Sequence, residues 1–264
     1  MDKKRTSLLV NSRFYILMST ILLSVGVVSY LQLQISSEQV FYIRTEQVFG
    51  LLAILYWYFA LIISPIGYVV GKHRTKRLEF ARRAIGVSAA YFAVLHGAVA
   101  LWGQLGGVSE LALLPLVFKW SLAGGAVAVL VLLVMAATSF DKVVSFMTFK
   151  RWKLLHRLTY CAWILVVFHI WTIGTHLAYP SIQWVAFIAL VILSGLELFR
   201  TIKLINEKYL HFEKTEVVTL FGACWVVVSV SIAMIPIVVK NYHSQHTNHF
   251  GHSGSLQQKE APNE

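Results

Sequence analysis

The sequence predicts an all-α integral membrane protein, a bundle of about seven transmembrane helices. Two observations predict it. Of the 264 residues, 57% are hydrophobic and 13% charged, against ~25% charged in a typical soluble domain. The chain also contains seven apolar runs that approach or exceed the ~17–25 residues a helix needs to cross a bilayer. Each is too long for a strand, and a closed barrel would alternate apolar and polar residues instead.

The runs extend from Phe14 to Leu31, Phe49 to Val70, Ala84 to Trp102, Trp120 to Thr138, Leu158 to Leu177, Ile182 to Phe199 and Val217 to Val239. The first follows a basic segment, as a signal peptide would. However, no small-x-small cleavage site follows Val28, and the run is long for a signal core, so it reads as an uncleaved anchor helix. The tail beyond Lys240 is polar, with Gly, Ser and Gln, and is expected to be disordered. No internal repeat stands out. Cys161 and Cys224 lie inside apolar runs and read as packing residues rather than a disulfide or a metal pair.

Charge placement gives the orientation. The N-terminus carries Lys3, Lys4, Arg5 and Arg13, and the second loop carries Lys72, Arg74, Lys76, Arg77, Arg82 and Arg83. The fourth carries Lys142, Lys150, Arg151, Lys153 and Arg157, and the sixth carries Arg200, Lys203, Lys208 and Lys214. These are 19 of the 23 basic residues; Arg44, Lys119, Lys240 and Lys259 fall on the other side. Cytoplasmic loops hold the excess of Lys and Arg, so the N-terminus is expected in the cytoplasm and the C-terminus outside. The net charge of +11 thus follows from topology, and no nucleic-acid partner is expected; the partner of the surface is membrane lipid.

Three histidines, His96, His156 and His169, lie in or at the edge of the apolar runs. An ionisable group in hydrocarbon is costly and marks a functional site by default. Imidazole is also a common axial ligand of haem iron held between helices. His96 lies 13 residues beyond Arg83 on the third run, and His169 lies 13 beyond His156 on the fifth. Both runs point outward, so at ~1.5 Å per residue each histidine lies ~20 Å from the cytoplasmic edge. At that depth the pair can clamp one planar macrocycle. The plainer alternative is that each hydrogen-bonds a neighbouring helix.

His156, at the cytoplasmic mouth of the fifth run, can ligate a second haem or stand as an interfacial residue. The matching position on the third run holds Arg82 and Arg83, which have no lone pair for a metal. They can pair with haem propionates, a flavin phosphate or a quinone oxygen. His73 and His211 are further candidate partners of His156. On a straight helix at ~100° per residue, His156 and His169 stand about 140° apart. They share one channel only if the helix bends or His156 lies in an unravelled first turn. His176 falls seven residues after His169 and either lines an exit path or has no role. In the tail, His243, His246, His249 and His252 recur every three residues, a pattern that binds Zn, Cu or Ni or is merely polar.

Arg82-Arg83-Ala-Ile-Gly followed by Tyr-Phe-Ala-Val-Leu-His96 resembles the third helix of the ferric reductase-like transmembrane domain. Arg151-Trp152-Lys-Leu-Leu-His156-Arg-Leu-Thr-Tyr160, then His169, resembles its fifth. Ile-Ser-Pro65-Ile-Gly closing the second run and Ala-Thr-Ser139 closing the fourth also fit. Within that family the likeness is to haem-bearing membrane subunits of bacterial periplasmic methionine-sulfoxide reductase systems, over roughly Phe14 to Lys208.

The resemblance implies a six-helix core plus one additional C-terminal helix. The segments are then a cytoplasmic N-terminus (1–13), a haem-binding domain (14–208), the added helix (209–240) and the His-rich tail (241–264). It implies a b-type cytochrome of the bacterial inner membrane with one or two haems b, FMN or quinone being further possible cofactors. His96 and His169 would be the outer haem ligands and His156 a third haem-related histidine, with Arg82, Arg83 and Trp152 also at cofactor positions. Electrons would come from quinol or a separate flavin reductase, since no segment is long enough for a Rossmann unit. They would pass to a periplasmic molybdenum-containing reductase subunit that reduces methionine sulfoxide. The seventh run and the tail depart from the family core. They keep open a metal-ion acceptor, and with it a ferric or cupric reductase.

A metal-ion transporter is the competing class. Such proteins place acids or broken helices near the midplane. Here Glu197 is the one acid inside the seven runs, and Pro65 and Pro236 lie near run ends. A purely structural anchor leaves the histidine placement unexplained.

Overall fold

The computed structural model describes residues 3–174 and 180–207, together with Glu213, Thr215, Glu216, Thr219 and Trp225. The seventh run, His176, His211 and the four tail histidines lie outside the described residues. The chain divides into two compact units between Ile173 and Gly174. The first holds α1 (Lys3–Gln34), α2 (Glu38–Val70), α3 (Lys72–Ala98), a π-helical turn (Val99–Gln104) and a 3-10 turn (Ser109–Leu113). It continues with α4 (Leu116–Ala137), two short helices α5 (Asp141–Met147) and α6 (Phe149–Leu155), and α7 (Leu158–Ile173); the second unit holds α8 (Pro180–Ile205).

Among the described residues, six helical stretches are long and apolar enough to cross a membrane: Ser12–Gln34, Glu38–Val70, His73–Gln104, Leu116–Ala137, Lys150–Ile173 and Ser181–Ile205. These correspond to the first six runs of the sequence, each starting earlier than its apolar run, and the protein is a multi-pass helical membrane protein. Leu22, Leu130 and Ile164 are 67%, 61% and 69% exposed. A lipid-facing surface accepts such residues at no cost, whereas a water-facing one would not tolerate so many.

Without a hydrophobic drive between helices in lipid, small residues and interhelical hydrogen bonds bring the first unit together. Ala84, Ser88, Ala89 and Ala93 are buried on α3. Ser88 shares a buried 2.7 Å hydrogen bond with Thr20 of α1, and Ser24 of α1 meets Tyr91 Oη at 2.8 Å. Gly71, with φ 98°, makes the one-residue turn from α2 to α3, a backbone state that glycine adopts freely. Deep between α2 and α7, the Trp57 indole N–H donates to Thr159 Oγ1 at 2.9 Å, and Trp57 packs edge-on against Trp163. On α4, Ser121, Ala128, Leu132 and Met135 form one buried stripe.

α2 ends at Val70, as the second run does, and passes through a fully buried Pro65 close to that end. Proline removes one backbone donor, and in lipid such a helix persists where neighbouring helices surround the break. The fifth span, by contrast, is not one straight helix. α6 ends at Leu155, His156 and Arg157 form a turn, and α7 begins at Leu158. His156 therefore lies at an unravelled junction, the second of the two geometries considered above.

Candidate functional site

α3 and α7 bring His96 and His169 together, with ring centres 6.1 Å apart and ring planes perpendicular. Each imidazole is held by the helix beside its own. His96 Nδ1 lies 3.0 Å from the Glu46 carbonyl oxygen on α2, and His169 Nδ1 lies 3.0 Å from the Ser121 carbonyl oxygen on α4. A carbonyl only accepts, so both bonds require the proton on Nδ1. That fixes the tautomer and leaves the lone pair on Nε2, the arrangement that histidine ligands of metals use.

Each cradle depends on a glycine one turn beyond its carbonyl. A Cβ built on Gly50 would stand 2.9 Å from His96 Nδ1, and one built on Gly125 would stand 2.9 Å from His169 Nδ1. Any other residue at either position would press on the ring. Glu46-x-x-x-Gly50 and Ser121-x-x-x-Gly125 are thus one device used twice. The cradles also differ: the Glu46 carboxylate Oε1 lies 3.3 Å from His96 Nδ1, whereas the Ser121 hydroxyl lies 3.5 Å from His169 Nδ1. Glu46 lies inside α2 and its membrane span, so Glu197 is not the sole acid within the spans.

The other singled-out residues gather at the opposite end of the first unit. Trp152 stacks on His156 with ring centres 4.1 Å apart, and the Arg83 guanidinium lies 5.1 Å from the centre of the Trp152 ring. Trp152 Nε1 donates to the Thr138 carbonyl at 2.9 Å, and His156 Nε2 lies 3.4 Å from Thr138 Oγ1. Arg83 and Arg13 both bind the Asp141 carboxylate, at 2.6 and 3.1 Å. Arg82 Nε donates to the Ala60 carbonyl at 2.7 Å. The structure thus brings Arg83, Trp152 and His156 into one stacked group, apart from the His96–His169 pair. Among the described residues, no three His, Cys, Asp or Glu side chains gather into an all-protein metal site.

The sequence reading missed Gly50, Gly125 and Glu46. The matching carbonyl-to-glycine spacing on α2 and α4 was visible, but its meaning requires knowing which helices neighbour the histidines.

Comparison with known proteins agrees with this architecture. Residues 47–167 match the family model of the ferric reductase like transmembrane component. The chain is similar to the protein-methionine-sulfoxide reductase heme-binding subunit MsrQ of Deinococcus radiodurans, with 34% identity over 125 residues, 46% of this chain and 58% of that protein. It is likewise similar to the subunit of the same name from Pasteurella multocida, with 34% identity over 119 residues, 43% of this chain and 57% of that protein. The chain therefore spans somewhat over half the length of these relatives. No solved structure matches. The likeness to the ferric reductase like transmembrane component is thus confined to residues 47–167, which include both His96 and the turn at His156.

Proposed function

We propose that this protein is a b-type cytochrome subunit that carries electrons across the bacterial inner membrane, in which His96 and His169 are the residues that would hold one haem iron. The observation that carries the reading is the spacing of the two rings. Two imidazoles that would each give one nitrogen to the same metal, at ~2 Å, would have ring centres about 6 Å apart. The ring centres here are 6.1 Å apart. The donor set fits as well, since both Nδ1 atoms are engaged by carbonyls and both Nε2 atoms keep a lone pair.

When bound, haem supplies a one-electron couple that needs no substrate chemistry from the protein. The chain's own residues do the rest. Gly50 and Gly125 let the rings seat against α2 and α4, and the two carbonyls hold their orientation. At the cytoplasmic end, Arg82, Arg83, Trp152 and His156 form a basic, aromatic surface suited to a flavin phosphate or a quinone oxygen. That end is the donor side, served by quinol or a flavin reductase. The acceptor is a periplasmic methionine-sulfoxide reductase catalytic subunit, in keeping with the names of the two relatives.

The test is an absorption spectrum of the purified protein, oxidised and then reduced. A low-spin b-type spectrum whose electrons are withdrawn by the periplasmic catalytic subunit is expected. A preparation that carries no haem after expression with ample haem supply overturns the reading.

A further inference from the structure

The two histidine cradles are built alike and differ in one group. In each, a backbone carbonyl lies 3.0 Å from Nδ1. Beside that carbonyl, His169 meets the neutral Ser121 hydroxyl at 3.5 Å, while His96 meets the Glu46 carboxylate at 3.3 Å. The Glu46 and His96 side chains are 20% and 22% exposed, so their interaction is little screened by water.

A carboxylate beside the outer N–H of a ligating imidazole draws that proton toward itself and makes the ring a stronger electron donor to the metal. It also sets a negative charge one ring away from the iron. Both effects favour the oxidised, more positive state. Hydrogen bonding of this kind is one of the levers by which proteins set haem potentials.

Resting on the reading that His96 and His169 share one haem iron, we infer that Glu46 sets the potential of that centre. Its carboxylate, held against the Nδ1 edge of His96, makes His96 the more electron-rich of the two ligands. The iron is thereby held at a lower potential than a neutral side chain would give, and its reduced form is a stronger reductant toward an acceptor. Glu46 acts through His96 and is a positioning residue, not a ligand.

The experiment is a redox titration of the full-length, haem-loaded protein followed by absorbance, with haem-to-protein ratio and spin state recorded in parallel. Glu46→Gln keeps the size and an acceptor oxygen but removes the charge. It should retain haem and the low-spin spectrum while its midpoint potential rises. Glu46→Asp should fall between Gln and the native protein, and Ser121→Ala should move the potential less than Glu46→Gln does. Full haem with an unmoved midpoint in Glu46→Gln overturns the inference. So does an equal or larger shift in Ser121→Ala. Loss of haem from a Glu46→Gln protein inserted at normal levels also overturns it, because Glu46 would then retain the cofactor rather than tune it. Failure of the ligand reading looks different: low-spin haem would persist in His96→Ala, whatever Glu46 does.

Discussion

Gly125 lies so close to His169 that a single methyl group on it would stand 2.9 Å from the imidazole Nδ1. Gly50 stands in the same relation to His96. Within a helix, Gly→Ala ordinarily stabilises by roughly 0.5–1 kcal/mol. At these two positions the added carbon must displace the ring that the adjacent carbonyl holds.

Gly50→Ala and Gly125→Ala should therefore insert normally into the membrane yet bind less haem, or bind it in a high-spin state. Gly86→Ala and Gly97→Ala, on α3 with no neighbouring atom within 4 Å of the added carbon, serve as controls and should keep the native spectrum. Equal haem occupancy and spin state in all four variants would show that the cradles do not position the ligands.

Removing a ligand should act more severely than crowding it. In His96→Ala or His169→Ala one axial bond is gone, so haem should be lost or become high-spin and electron transfer should stop. His156 stacks on Trp152 at the other end of the unit, so His156→Ala should keep the low-spin spectrum and slow reduction by the donor. Arg82→Ala and Arg83→Ala should behave like His156→Ala. Haem stoichiometry separates the cases: a fall in haem per protein in His156→Ala would assign that residue to a second haem instead of the donor surface.

The six helices were legible because a bilayer leaves few alternatives: a long apolar run must satisfy its backbone internally. The meeting of His96 with His169 was legible for a related reason, since equal spacing from the basic edge puts both at one depth. What lay hidden depended on neighbours. Nothing in the sequence tells Gly50 from Gly97, yet one faces an imidazole and the other faces nothing within 4 Å. Glu46 is hidden because the apolar run begins only at Phe49, whereas α2 starts at Glu38. The break at His156 is legible only as one of two geometries, because Leu154, Leu155 and Leu158 beside it are equally compatible with a continuous helix.

The buried bond between Trp57 and Thr159 offers a test of packing independent of haem chemistry. Thr159→Val strands the indole N–H in an apolar interior, which should cost roughly 1–2 kcal/mol. Trp57→Phe removes the donor and a large buried surface, Trp57 being 4% exposed. If the hydrogen bond couples α2 to α7, the double variant should be less destabilised than the sum of the two, by about 0.5–1.5 kcal/mol. Thermal unfolding in detergent measures the cycle; strict additivity would mean that the contact contributes shape alone.

Orientation rests on charge, and two loops carry the contrast. Residues 105–115, between the π-helical turn and α4, contain Glu110 and no Lys or Arg, whereas residues 138–157 contain Lys142, Lys150, Arg151, Lys153 and Arg157. Basic residues in short loops stay on the cytoplasmic side. Alkaline phosphatase, which is active only after export, should therefore be active when fused at Val108 and inactive when fused at Lys142. A fusion after Glu264 should also be active, since the run from Val217 to Val239 would return the chain to the outside. Activity at Lys142 with none at Val108 would invert the whole assembly and put the Arg83–Trp152–His156 group on the periplasmic face. An inactive fusion after Glu264, with the other two as expected, would instead remove only the seventh span and leave the His96–His169 pair on the outer half of the membrane.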